Sequence, residues 1–176
     1  QTCERLEGAE GLVDIFCGWS GECVGLKKDG TVVGDEAALS TFPQISTWTN
    51  IVALGTGENY LLGVKADGSV VAAGTSDFGT CDVGSWSNIV VADGSFAFSF
   101  GVQADGDVIA NVEGTASGVL DVASGNYFGV FLYRDGTVGA SGTELISKEQ
   151  VSEWVADWTD IVAIDASDSH IVGLKA

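Results

Sequence analysis

The chain has a single histidine, His170, and it ends the string Asp165-Ala166-Ser167-Asp168-Ser169-His170. Ser169, His170 and Asp165 or Asp168 supply the parts of a nucleophile, a base and an orienting carboxylate, but triads are defined by geometry and not by neighbouring letters. His170 also follows Ser167 as Tyr60 follows Gly57 and Phe128 follows Gly125, which reads first as a repeated structural position. Asp105 with Asp107, and Asp160 with Asp165 and Asp168, lack the spacing of a calcium loop and read as turn residues. The sequence has no phosphate loop, dinucleotide fingerprint or Cys-x-x-Cys. The expectation is a non-enzymatic protein with no catalytic residue, no metal and no cofactor.

Four cysteines offer thiol chemistry instead. Cys17 and Cys23 flank Gly18-Trp19-Ser20-Gly21-Glu22, which reads as a turn between two strands, so the two thiols face one another and form the disulfide candidate. Cys3 and Cys81 stand in matching contexts, Thr2-Cys3-Glu4 and Thr80-Cys81-Asp82, on separate connections too far apart to bond. An even cysteine count, the lack of methionine and a Gln1 able to cyclise after leader removal predict a processed, extracytoplasmic protein. Secreted, periplasmic and organelle-lumen locations all fit this better than the cytosol. No apolar run approaches the ~20 residues that cross a bilayer as a helix.

What positions these residues is a repeat. Trp48-Thr49-Asn50-Ile51-Val52, Trp86-Ser87-Asn88-Ile89-Val90 and Trp158-Thr159-Asp160-Ile161-Val162 are three copies of one string, and Ala116-Ser117-Gly118-Val119 and Ala9-Glu10-Gly11-Leu12 are copies without the tryptophan. Asp-Gly recurs at Asp29-Gly30, Asp67-Gly68, Asp105-Gly106 and Asp135-Gly136 inside apolar runs, the signal of a tight type I′ hairpin. A self-similar chain stacks copies of one unit because a single copy cannot bury its own apolar face. Each copy reads as a strand, a turn, a second strand, the Asp-Gly hairpin, a third strand and a connection with room for a fourth. One stretch, Glu144 to Ala156, suits a helical turn or two. The expected fold is an all-β, five-repeat β-propeller in a single domain, with approximate blades 1–35, 36–75, 76–112, 113–142 and 143–176. Trp48, Trp86 and Trp158 are expected at equivalent sites between blades. The last blade lacks its third strand, so either the N-terminal segment closes it or the edge at 170–176 stays open to strand addition.

The strings W-[ST]-[ND]-I-V, V-G-L-K-A-D-G-[ST]-V-V-A-x-G and G-x-C-D-V, best seen from Trp48 to Val83, resemble the repeat of the regulator of chromosome condensation family. The likeness is closest to its secreted bacterial-type variants, such as a β-lactamase-inhibitor propeller, and extends over nearly the whole chain. It implies a propeller, in a family whose members usually carry about seven blades. It does not fix an activity, because fold transfers more safely than function.

Charge removes one function class. The formal net charge is −18, from 25 acidic and 7 basic residues. Nucleic-acid binding draws its affinity from Lys and Arg at phosphates, so no nucleic acid is expected, nor an anionic membrane surface. A photoreceptor of this family is excluded too, because that activity needs arginines among tryptophans and only Arg5 and Arg134 exist. The reading that remains is a protein-binding module or accessory subunit, with Trp19, Asn59, Tyr60, Phe96, Phe98, Asn126, Tyr127, Phe128, Ser169 and His170 gathered on one face as anchors. Rim carboxylates such as Glu58 and Asp93 would steer a cationic partner. The alternative is a secreted enzyme inhibitor or sugar-binding lectin using the same face or a central channel.

Overall fold

The computed structural model describes residues 6, 9–17, 21–75, 78–112, 116–143 and 145–176. The first antiparallel sheet is β1 (Leu12–Cys17), β2 (Cys23–Lys27) and β3 (Val32–Gly34), and the second is β4 (Ile51–Thr56), β5 (Tyr60–Lys65) and β6 (Val70–Gly74). β7 (Ile89–Gly94), β8 (Ser99–Gln103) and β9 (Val108–Ala110) form the third, and β10 (Val119–Gly125), β11 (Phe128–Tyr133) and β12 (Val138–Gly142) the fourth. β13 (Ile161–Ser167) and β14 (His170–Lys175) make a two-stranded fifth. All five first strands begin at the residue that the repeat marks. The chain is thus nearly all β, built of small antiparallel sheets.

The residue before each first strand has a left-handed backbone: φ is 60° at Asn50, 59° at Asn88 and Asp160, and 75° at Gly11 and Gly118. Asn, Asp and Gly are the residues that adopt this conformation at least cost, which is why the repeat carries no other type there. The Asp-Gly turns differ from expectation. Of each pair only the glycine has positive φ (80° at Gly30, 81° at Gly68, 96° at Gly106, 79° at Gly136), so they are three-residue loops ending in a glycine bulge and not type I′ turns. The aspartate instead braces the loop from within. Oδ1 of Asp29 accepts the backbone N–H of Thr31 at 3.0 Å and its hydroxyl at 2.6 Å. Asp67 with Ser69 and Asp135 with Thr137 repeat the arrangement. Each glycine carbonyl then accepts the first N–H of the next sheet, from Ile51, Ile89, Val119 and Ile161 to Gly30, Gly68, Gly106 and Gly136, at 3.0 Å. The hairpin that ends one unit is the clamp that starts the next.

A fourth strand does not form among the described residues. Helix α1 (Glu36–Thr41), capped by Asp35 whose carboxylate accepts Ala38 N–H, and a 3₁₀ turn at Pro43–Thr47 fill the first connection. Helix α2 (Lys148–Val155), with a Ser147/Gln150 capping box, fills the last, inside the stretch expected to be helical. Capping residues win over strand propensity in these connections.

The core lies in the seams between successive sheets. Middle strands are buried on both faces: Leu62 and Val64, with Val70 of β6, meet Val83, Trp86, Ile89 and Ala92 of the next unit, while Leu61 joins the seam on the other side. Trp48 and Trp86 are 7% and 5% exposed, and Trp158, half-buried, takes the equivalent place. Beyond the fifth sheet nothing among the described residues covers β14, whose outward Val172 and Leu174 are 59% and 63% exposed. Among those residues its edge pairs only with β13. Closure by the N-terminal segment concerns residues 1–5, which lie outside the described ones. Among the described residues no helix is long and apolar enough to span a membrane.

Candidate functional site

The first strands of all five sheets line one central cleft of about 690 Å³. Among the described residues five aspartates, Asp14, Asp93, Asp121, Asp165 and Asp168, face it, and no Lys, Arg or His does. Three of them are tied down locally: Oδ1 of Asp14, Asp121 and Asp165 each accepts the next residue's N–H at 2.9 Å. Burial, and then the neighbouring Asp165 charge, raise the Asp121 carboxyl above its usual range, while the Val122 N–H opposes them.

Asp93 does more. It stands on β7, where the other units have Phe16, Gly55, Ala123 and Asp165, and its carboxylate reaches both neighbouring sheets. Oδ2 accepts Ser124 N–H at 2.8 Å and Oδ1 accepts Thr56 N–H at 3.5 Å. Burial pushes its pKa up to about 7 despite these N–H donors. The sequence reading of Asp93 as a steering charge on the rim is therefore corrected: it is a bridge between sheets. The signal was present, as one acid at the end of the apolar run Ile89-Val90-Val91-Ala92.

At the turn end of the cleft the expected anchors divide into two sets. Tyr60, Phe98 and Phe128 are 2%, 5% and 0% exposed and fill seams, so they are withdrawn from the binding face. Tyr60 donates its hydroxyl hydrogen to the Phe98 carbonyl in the next sheet. Phe128 meets Trp154 of α2 edge-on at 5.8 Å. Accessible rings are fewer: Phe96 stands edge-on to Tyr127 at 5.8 Å and to Phe78 at 5.1 Å, forming a ledge across the third and fourth sheets. Phe78 is 53% exposed and lies outside the repeat pattern, so sequence reading missed it. Asn59 is exposed beside the ledge, sharing a shallow recess with Phe78 and Phe96, and Asn126 lines the cleft mouth. Ser169 and His170 are exposed on the fifth sheet; Asp165 spends its Oδ1 on Ala166. Trp19 lies outside the described residues.

Cys17 and Cys23 are directly opposed across β1 and β2, with sulfurs 3.3 Å apart, a thiol contact that has not become the ~2.05 Å bond of a disulfide. Cys81 lies near the Thr75 carbonyl, its thiol raised chiefly by burial, and Cys3 lies outside the described residues. Among the described residues no group of three or more His, Cys, Asp or Glu is placed to hold a metal.

No protein-family model matches the sequence, and neither does any curated protein. Solved structures do. Prp20p from Saccharomyces cerevisiae, a protein solved with an account of its binding to Gsp1p and histones, superposes with a TM-score of 0.68 at 14% identity, over 94% of this chain and 56% of that one. Human WBSCR16 gives 0.68 at 14% identity, over 93% and 59%. The ectodomain of the Arabidopsis thaliana receptor kinase ACR4 gives 0.61 at 11% identity, over 93% and 60%. The chain spans little more than half the length of these proteins. Its fold is that of the regulator of chromosome condensation type of β-propeller, as the repeat implied.

Proposed function

We propose that this is a non-catalytic, protein-binding propeller of five blades, working outside the cytoplasm, whose turn face receives a cationic segment of its partner. The observation that carries the reading is the ledge of Phe78, Phe96 and Tyr127 beside a cleft with five aspartates and, among the described residues, no basic side chain. Aromatic faces and edges supply anchoring area at low entropic cost, and ring faces attract Lys and Arg. Carboxylates at the cleft mouth add long-range steering for the same partner. The yeast neighbour, which binds Gsp1p and histones, shows that this fold serves protein partners. An extracytoplasmic location is supported by the facing pair Cys17 and Cys23, poised for oxidation.

The test is to cross-link the protein in its native source, identify what it holds, and titrate that partner calorimetrically. A Lys- or Arg-bearing segment should bind wild type and lose affinity in a Phe96→Ala/Tyr127→Ala variant, and more weakly at 1 M than at ~0.1 M salt. A partner whose affinity ignores both the variant and salt overturns the reading.

A further inference from the structure

The seam between the first two sheets contains an anomaly. The residue that immediately precedes the cross-strand partner of the first strand's Cys17, Thr56, Gly94 or Ser124 is Glu22, Tyr60, Phe98 or Phe128 in successive units. Three units fill this seam position with a buried ring. The first puts a carboxylate there, 5% exposed.

Glu22 is shorter than a ring and leaves a cavity of about 10 Å³, the room of one water or ion, walled by Phe16, Val24, Phe42 and Leu61. A second carboxylate, Glu58 from the turn after β4, lines the same cavity together with Thr56. Oε2 of Glu22 and Oε2 of Glu58 are both buried, and among the described residues neither has a hydrogen-bond partner. An unpaired ionised carboxylate in such a site costs several kcal/mol, and two repel each other as well. A divalent cation between them would supply the opposing charge to both carboxylates at once.

We propose that Glu22 and Glu58 hold a calcium-class divalent cation between the first and second sheets. The side-chain donors among the lining residues are hard oxygens, two carboxylates able to chelate and the Thr56 hydroxyl, the kind that calcium accepts in flexible geometry. Magnesium keeps several waters in a strict octahedron, for which this cavity has no room. The ion takes the place of the missing ring and ties two units together.

The test is the melting temperature of metal-stripped protein against added CaCl₂, with MgCl₂ at equal ionic strength as the control, alongside calorimetric calcium titration. Wild type should gain stability with calcium, saturably and with one site, and show little gain with magnesium. Glu22→Gln and Glu58→Gln should each lose the calcium response. Glu22→Phe, which restores the residue type of the other units, should fold, match calcium-loaded wild type in stability and ignore calcium. Asp121→Asn and Asp165→Asn, in the acidic cleft, should keep the full response. The proposal is overturned if wild type shows no calcium response, or if the two Gln variants respond as wild type does. A calcium response lost only in the cleft variants would assign the ion to the aspartates and overturn it equally. None of these outcomes depends on the protein partner.

Discussion

The indole of Trp86 lies so close over Gly101 that a Cβ on that glycine would stand 2.9 Å from Cε3 and Cζ3. Trp48 with Gly63 and Trp158 with Gly173 show the same relationship, at 2.8 and 2.5 Å. The fourth unit has neither partner: Ala116 replaces the tryptophan and Phe131, 6% exposed and edge-on to Phe100 at 5.4 Å, replaces the glycine. Volume leaves the connection before the first strand and returns from the second strand.

Trp86→Ala should therefore cost about 3–5 kcal/mol, as large truncations in a core do. Gly101→Phe should cost about 1–3 kcal/mol or more through overpacking. The double change Trp86→Ala/Gly101→Phe copies the fourth unit and should recover at least about 1 kcal/mol relative to Trp86→Ala alone. Urea unfolding of the four proteins measures the coupling; strict additivity would show that the pair does not share one space.

That exchange was legible in the sequence, because a repeat displays the same site several times. The strand starts, the two-stranded fifth sheet and the equivalence of the tryptophans followed from it as well. Three things did not. The seam role of Tyr60, Phe98 and Phe128 depends on which face of β5, β8 and β11 meets the next sheet, and a strand buried on both faces carries no alternation to reveal it. The Asp-Gly loop type depends on one extra residue of register. Phe78 sits in a connection that no other unit copies, so repetition offered no comparison.

Asp93 gives a pH test. Its folded pKa of about 7 lies above the ordinary value of 3.8, so between these values the folded protein holds a proton that the unfolded chain has released. The group's contribution to stability is therefore greatest at the acid end, falls as pH rises towards 7, and is flat above. Asp93→Asn cannot ionise and should lose this part of the slope, leaving the smaller part due to the buried, likewise raised Asp121. Denaturation of both proteins from pH 4.5 to 8 decides; parallel profiles would mean that Asp93 is ionised throughout.

Cys17 and Cys23 give a redox test. Their opposed positions and 3.3 Å sulfur separation need only a small approach for bonding. Mild oxidation should remove two hydrogens from the intact mass and protect both thiols from alkylation, with Cys17→Ser abolishing the change. The closed loop is short, so the gain in stability should stay near the low end of the usual range, about 2 kcal/mol or less. Persistent alkylation of both thiols after oxidation would show that β1 and β2 hold them apart.

Tyr60 and Tyr127, neighbours in the repeat's turns, should behave oppositely. Tyr60→Phe strips the Phe98 carbonyl of its buried donor and should cost about 1–3 kcal/mol of stability, with partner affinity unchanged. Tyr127→Ala, like Phe96→Ala, removes a partly exposed ring from the ledge and should leave stability within about 1 kcal/mol while weakening the partner by more than 1 kcal/mol, roughly fivefold in Kd. The β14 edge is the competing surface, and Val172→Pro probes it by interrupting an edge strand. Calorimetric titration of Tyr60→Phe, Tyr127→Ala and Val172→Pro against one native partner separates the surfaces. Loss with Tyr127→Ala alone assigns the partner to the ledge, and loss with Val172→Pro alone moves it to the open edge.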